Sequence, residues 1–297
     1  MSHTRRFMQL DVFSRLPLLG NPLAVVIDGD GLDDATMQAF ARWTNLSETT
    51  FLLPPTRADA DYRVRIFTPR QELPFAGHPS VGSAYAAIES GLVPSGKFAL
   101  VQECAAGLLP VRVEGKGDER IIHVQAPPAR LHAVDTAERE RLAQALHLDL
   151  AQSRMRLVDN GPLWLVCDLH EAAKVRRLQP DLPLIAAISE ATGAVGISVF
   201  GRESASDAAG NAAMAVRAFC PADGIPEDPV TGSANAAIMA FLAELGDPDG
   251  YGLDYRASQG REVGRDGYVE VRRDAATGAI SIGGACAVGI RGELRLG

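Results

Sequence analysis

The chain has 297 residues, long enough for two domains with cores of their own, and is 46% hydrophobic and 22% charged, an ordinary globular mixture. A formal charge of −8 with no basic run argues against nucleic acid as a partner, although a helix end could still hold a small anion. The opening MSHTRRFMQLDVF lacks the apolar core of a secretory signal, and the apolar stretch 182–200 is broken by Glu190, so no membrane span is expected and the cytoplasm is the expected compartment.

In chain order, Met8–Phe13 alternates as a strand, Gly20-Asn21-Pro22 makes a turn, and Leu23–Ile27 reads as a buried strand. Asp33 or Asp34 can cap a helix to about Trp43 with Met37, Phe40 and Ala41 on one face. Asn45 to Glu48 then turns into strand Thr49–Leu53, and Tyr62–Phe67 alternates again. After a helix come three short strands, Phe98–Val101, Leu109–Val113 and Ile121–Val124, and Ala126–Ala129 is the candidate linker. The second half is expected to hold helices at Thr136–His147, Leu182–Ala191 and after Pro229, with a polar loop at Ser204–Asn211. Its strands are expected at Val195–Phe200, Ala213–Phe219, Leu253–Ser258, Gly267–Val271 and Ile280–Leu296. The domains are therefore 1–126 and 127–297, with the last strands able to cross back to the first.

One stretch occurs twice: FTPRQELPFAGHPSVGSAYA at 67–86 and FCPADGIPEDPVTGSANA at 219–236. Arg65, Phe67 and Pro69 fall on Arg217, Phe219 and Pro221, and after a two-residue slip Pro79, Gly82 and Ser83 fall on Pro229, Gly232 and Ser233. A second echo, GNPLAVVID at 20–28 and GPLWLVCD at 161–168, keeps the same order. The pattern argues for a duplicated α+β domain whose apolar runs, Ser80–Ile88 and Val230–Leu242, form one buried helix in each copy. Proline suits a first helical position, which places His78 and Asp228 at the two N-caps.

Two helix starts of this kind suit a small carboxylate ligand: His78, Asp228 and the amides around Ser80 and Gly232 would grip it, and a carboxylate or imidazole against apolar walls could move a proton. Taken alone, His78 is as readily a helix cap as an acid/base, Asp228 is an ordinary N-cap, Glu227 is more readily solvated than catalytic, and Glu48 is an ordinary loop glutamate. Asn21 lines the cleft or only makes a tight turn. Cys104, Cys167, Cys220 and Cys286 never form CxxC, so they read as reduced core residues and imply no metal site. No dinucleotide fingerprint is present.

Taken together, LDVF with GNPLAVV, NLSETTF, ELPFAGHPSVGSA, EDPVTGSA, SQGREVGR and ISIGGACAV resemble the phenazine-biosynthesis PhzF family of the diaminopimelate-epimerase fold, over almost the full length. The resemblance implies two similar domains, each a β-barrel around a central buried helix, with the active site between them. It implies a homodimer that isomerises trans-2,3-dihydro-3-hydroxyanthranilate without a cofactor. Carried over, Glu48 is the catalytic acid/base, with His78 and Asp228 beside it. Gly77 and Ser233 are carried over as residues that hold the substrate, and the reading of the helix starts and of the Gly20-Asn21-Pro22 turn adds Ser80, Gly232 and Asn21 to the substrate-binding set. Related epimerases place a cysteine at each helix start; this chain has Gly77-His78 and Asp228-Pro229 there, which excludes a two-thiol racemase. Two alternatives remain: proton transfer on another small acid, as in an epimerase, and a protein that binds a ligand without turning it over.

Overall fold

The computed structural model describes residues 3–204, 211–247 and 249–296. The expected polar loop at Ser204–Asn211 lies outside the described residues except for its two ends. In chain order the structure runs β1 His3–Val12, β2 Asn21–Val26, α1 Asp34–Thr44, β3 Thr49–Leu53, β4 Tyr62–Phe67, β5 Glu72–Leu73, α2 Gly77–Glu89, β6 Ala99–Cys104, β7 Gly107–Glu114 and β8 Ile121–Gln125. It continues with β9 Arg130–His132, α3 Thr136–Leu146, β10 Met155–Asp159, β11 Leu163–Glu171, α4 Ala172–Arg176, α5 Leu182–Thr192, β12 Gly196–Arg202 and β13 Met214–Cys220. The last elements are β14 Ile225–Asp228, α6 Gly232–Glu244, β15 Asp254–Gln259, β16 Gly267–Arg273, β17 Ile280–Gly284 and β18 Cys286–Leu296. Among the described residues this is a mixed fold of eighteen strands and six α-helices. None of these helices is long and apolar enough to cross a membrane.

Contacts divide the chain into two units, residues 1–125 with 283–297, and residues 126–282. In the first, β1 pairs antiparallel with β2 and with β18. β2 lies parallel to β3, β3 antiparallel to β4, β4 antiparallel to β5 and parallel to β6, and β6 antiparallel to β7. These strands surround α2, which packs on β1, β2, β3, β4, β8 and β18. Such all-round burial requires small or apolar side chains on every face, and His78 to Ile88 are buried without a break. Gly82 permits the closest approach: a Cβ there would lie 2.5 Å from Leu23 Cδ2 and 2.8 Å from Val12 Cγ2. α1 sits outside, capped by Asp33, whose Oδ1 accepts from Thr36 N at 2.7 Å. Its Met37, Phe40 and Ala41 pack against Val26, Phe51 and Phe67.

In the second unit the pairings recur in the same order. β10 is antiparallel to β11, β11 parallel to β12, β12 antiparallel to β13, β13 antiparallel to β14 and parallel to β15, and β15 antiparallel to β16. α6 packs on β10, β11, β12 and β16, with Gly232 and Ala234 to Leu242 buried. The repeated Arg-x-Phe has one structural meaning in both units. Arg65 lies over the Phe67 ring and clasps Glu72 through Nε and Nη2 at 2.7 and 2.6 Å. Arg217 lies over Phe219 and clasps Glu227 at 2.9 and 2.7 Å. The expectation of a solvated Glu227 is therefore corrected: its side chain is 8% exposed and engaged from the neighbouring strand.

Both helix starts also differ from the expectation of proline in the first position. α2 begins at Gly77, two residues before Pro79, with Ala76 as N-cap. The third residue of a helix has no intrahelical acceptor for its N–H, so proline is tolerated there. α6 begins at Gly232 with Thr231 as N-cap, three residues after Pro229. Pro229 and Val230 form a bend packed closely against two glycines: a Cβ at Gly260 would lie 2.5 Å from Pro229 O, and one at Gly267 2.3 Å from Val230 Cγ2. Neither His78 nor Asp228 is an N-cap.

Candidate active site

Helix α1 ends at Asn45, whose left-handed conformation (φ 52°) turns the chain back while its N–H bonds Ala41 O. The next three residues lead into β3, fixed beside β2 by the parallel register Ala24 with Thr49. Glu48 is thereby held at the mouth of β3, and His78, the second residue of α2, brings Nε2 to 3.5 Å from Glu48 Oε2. The pair is largely buried, with side-chain exposures of 7% for His78 and 17% for Glu48. Glu48 Oε2 is buried with no hydrogen-bond partner among the described residues. Loss of water disfavours the carboxylate and pushes the Glu48 acid up to about 7, with the Ser47 hydroxyl pulling the other way. A group in that range both accepts and returns a proton near neutral pH.

The remaining candidates of the first unit serve this pair differently. Gly77 opens α2 and is half-buried. Ser80 is wholly buried: its hydroxyl donates to Ala76 O at 2.8 Å and accepts from Gln102 Nε2 at 2.9 Å, and Tyr62 Oη donates to Gln102 Oε1 at 3.0 Å. That chain fixes the start of α2 from the β4–β6 pair, so the Ser80 hydroxyl locks the helix. Asn21 opens β2 opposite Val12 and is fully buried.

In the second unit Asp228 ends β14, and its Oδ2 accepts from Thr231 Oγ1 at 2.6 Å. Gly232 begins α6 and Ser233 follows it. Trp164 Nε1 donates to Ser233 Oγ at 3.1 Å and Asn160 Nδ2 to Ser233 O at 2.9 Å, so the hydroxyl proton of Ser233 points elsewhere. Gln259 ties the group together from β15. Sequence reasoning missed Gln102, Trp164, Thr231 and Gln259 as contributors. The available signal was weak: Trp164 sits in the echoed GPLWLVCD, and Gln259 in the SQGREVGR block.

All four cysteines are free, three of them buried, and burial pushes the Cys167 thiol up to about 12, which makes it inert. One group among the described residues could share an ion, Asp168, His170 and Asp249. Arg154 already binds both of its carboxylates, with Asp168 Oδ2 at 2.5 Å.

A family model described as phenazine biosynthesis-like protein matches residues 10–292. The chain belongs to this family. It is 34% identical to the trans-2,3-dihydro-3-hydroxyanthranilate isomerase of Pseudomonas aeruginosa over 279 residues, 93% of each chain. It is 35% identical to antisense-enhancing sequence 1 of Schizosaccharomyces pombe over 295 residues, 97% of each. The crystal structure of a PhzF-family phenazine biosynthesis protein from Bacillus anthracis superposes with a TM-score of 0.83 at 26% identity, covering 98% of this chain and 99% of that one. Further relatives at 33–35% identity are named as isomerases. The chain is a PhzF-family isomerase.

Proposed function

We propose that this isomerase moves a proton between carbons of a small cyclic amino- or hydroxy-carboxylate of the trans-2,3-dihydro-3-hydroxyanthranilate type, with Glu48 as the acid/base. The observation that carries the reading is the desolvated Glu48 carboxyl, pushed up to about 7 and facing His78 Nε2 at 3.5 Å. The 34% identity to an enzyme named for that reaction supports the substrate class. Ionised Glu48 takes a proton from a carbon made acidic by a neighbouring enamine or diene, and the resulting carboxylic acid, its proton exchanging with solvent, protonates another carbon on the same face. His78, with Nε2 3.5 Å from the carboxylate, steadies charge as it moves. Asp228 receives the substrate's amine or hydroxyl, and Ser233 with the α6 start binds its carboxylate. No step of this reaction calls for a metal or an organic cofactor.

We also infer that the two units are copies of one ancestral unit. The order of strand pairings, the Arg-x-Phe with its clasped glutamate, and a glutamine on the strand after each buried helix recur in both. The function is tested by following trans-2,3-dihydro-3-hydroxyanthranilate by absorbance with wild-type protein and Glu48→Gln. Conversion by the wild type and its loss in the variant support the reading; equal conversion by both contradicts it.

A further inference from the structure

Gln259 ends β15 and is 1% exposed, yet all four of its polar valences are used. Its Oε1 accepts from Thr231 N at 3.0 Å and from Asn235 Nδ2 at 3.1 Å. Its Nε2 donates to Asp228 O at 3.0 Å and to Thr231 Oγ1 at 2.9 Å. Two of these partners are backbone groups whose roles cannot change: the Thr231 N–H only donates and the Asp228 carbonyl only accepts. The orientation of the amide is therefore fixed, with its N–H side toward the Thr231 hydroxyl. That hydroxyl, having received a hydrogen, sends its own single proton to Asp228 Oδ2 at 2.6 Å. Asn235 closes the set by donating to Thr231 O at 2.9 Å from within α6.

The first unit supplies the contrast. Gln102 there donates to the Ser80 hydroxyl, and Ser80 passes its proton to the carbonyl of Ala76. The same device ends on inert backbone in one unit and on a carboxylate in the other. We propose that Thr231 and Gln259 are positioning residues of the reaction, a proton-ordered relay that clamps the Asp228 carboxylate in the orientation in which it meets the substrate. This rests on the role given to Asp228 above. Neither residue touches substrate in this scheme; both act through Asp228. Buried networks with every donor and acceptor matched are rigid, and a misplacement of about 1 Å at a reacting group costs on the order of 100-fold in rate.

The test is a mutant cycle read in two ways. Thr231→Val removes the hydroxyl at nearly constant volume, Thr231→Ser keeps it, and Thr231→Ala replaces the valine variant should that variant not fold. On trans-2,3-dihydro-3-hydroxyanthranilate, Thr231→Val is expected to lower kcat by about 10- to 100-fold. Thr231→Ser should restore most of the loss, and Thr231→Val placed on Asp228→Asn should cost nothing more than Asp228→Asn alone. Crystal structures of the ligand-free variants give the second reading: the Asp228 carboxylate turned away in Thr231→Val and in place in Thr231→Ser. Full activity of Thr231→Val, an undiminished loss on the Asp228→Asn background, or an unmoved Asp228 in the Thr231→Val crystal overturns the proposal. Full activity of Asp228→Asn, or no conversion by the wild type, overturns the proposed function instead, and the crystal reading then decides the relay by itself.

Discussion

Replacing Glu48 by glutamine should stabilise the fold, and should do so only where the carboxyl would otherwise be charged. Burial raises its acid from 4.5 to about 7, and a shift of that size corresponds to about 3 kcal/mol between the two protonation states. The sign follows from which form burial disfavours. At about pH 4 the group is protonated in folded and unfolded chains alike and the penalty is absent; it grows as pH rises through the unfolded value toward the folded one, and is constant above about pH 8. Glutamine, neutral throughout and nearly the same shape, never incurs it. Urea unfolding of both proteins across this range should give a difference near zero at about pH 4 and about 3 kcal/mol in favour of Glu48→Gln at about pH 8. A difference that stays flat with pH, or favours the wild type at the alkaline end, would refute the claim that Glu48 is held desolvated. The same substitution should abolish turnover, so the residue would be one at which stability is given up for activity.

Other outcomes follow from single contacts. The ratio kcat/KM should fall below an apparent pKa of about 7, the value to which burial pushes Glu48, because the deprotonated form is the one that takes the substrate's proton; a pH–rate profile level through that region would count against it. Arg217→Met should cost about 3–5 kcal/mol in denaturant unfolding, since it strands Glu227 in a site where its side chain is 8% exposed. Arg65→Met should cost only about 1 kcal/mol, because its partners Glu72 and Asp34 are 35% and 84% exposed and regain water. Gly20→Ala should cost about 1–3 kcal/mol, because the new Cβ would lie 2.5 Å from Val12 O and 2.9 Å from Asp11 C, backbone atoms that cannot swing aside.

The parts legible in the sequence are those with a local cause. α1 was readable from an aspartate cap and a period of three to four, and β3 and β4 from β-branched and alternating residues. The shortest elements were missed because they are too short to show a period: β5 has two residues, β9 three, β14 four and α4 five. β10 escaped because Arg156 and Asp159 interrupt its apolar residues. The terminal run read as one strand is two, β17 and β18, separated at Ala285, whose carbonyl accepts from Phe13 N at 2.8 Å; no local signal announces that bond. The start of α2 lies two residues before the expected one because Pro79 is tolerated as a third helical residue, and α6 starts three residues later because Pro229 and Val230 form a bend packed against Gly260 and Gly267, more than thirty residues further along. In the site, Glu48 reads as an ordinary loop glutamate; only the family resemblance singled it out, since the His78 that faces it lies thirty residues further along, on α2. Gln102 and Gln259 carry no local signal, because their importance lies in hydrogen bonds to residues 22 and 28 positions away.

The most direct test of Glu48 as the proton carrier is isotopic. Incubated with trans-2,3-dihydro-3-hydroxyanthranilate in D₂O, the wild type should give product carrying deuterium at the newly protonated carbon by mass spectrometry, since a carboxylic acid at Glu48 exchanges its proton with solvent. Glu48→Gln should give neither product nor label. Labelled product formed by Glu48→Gln at the wild-type rate would contradict the account.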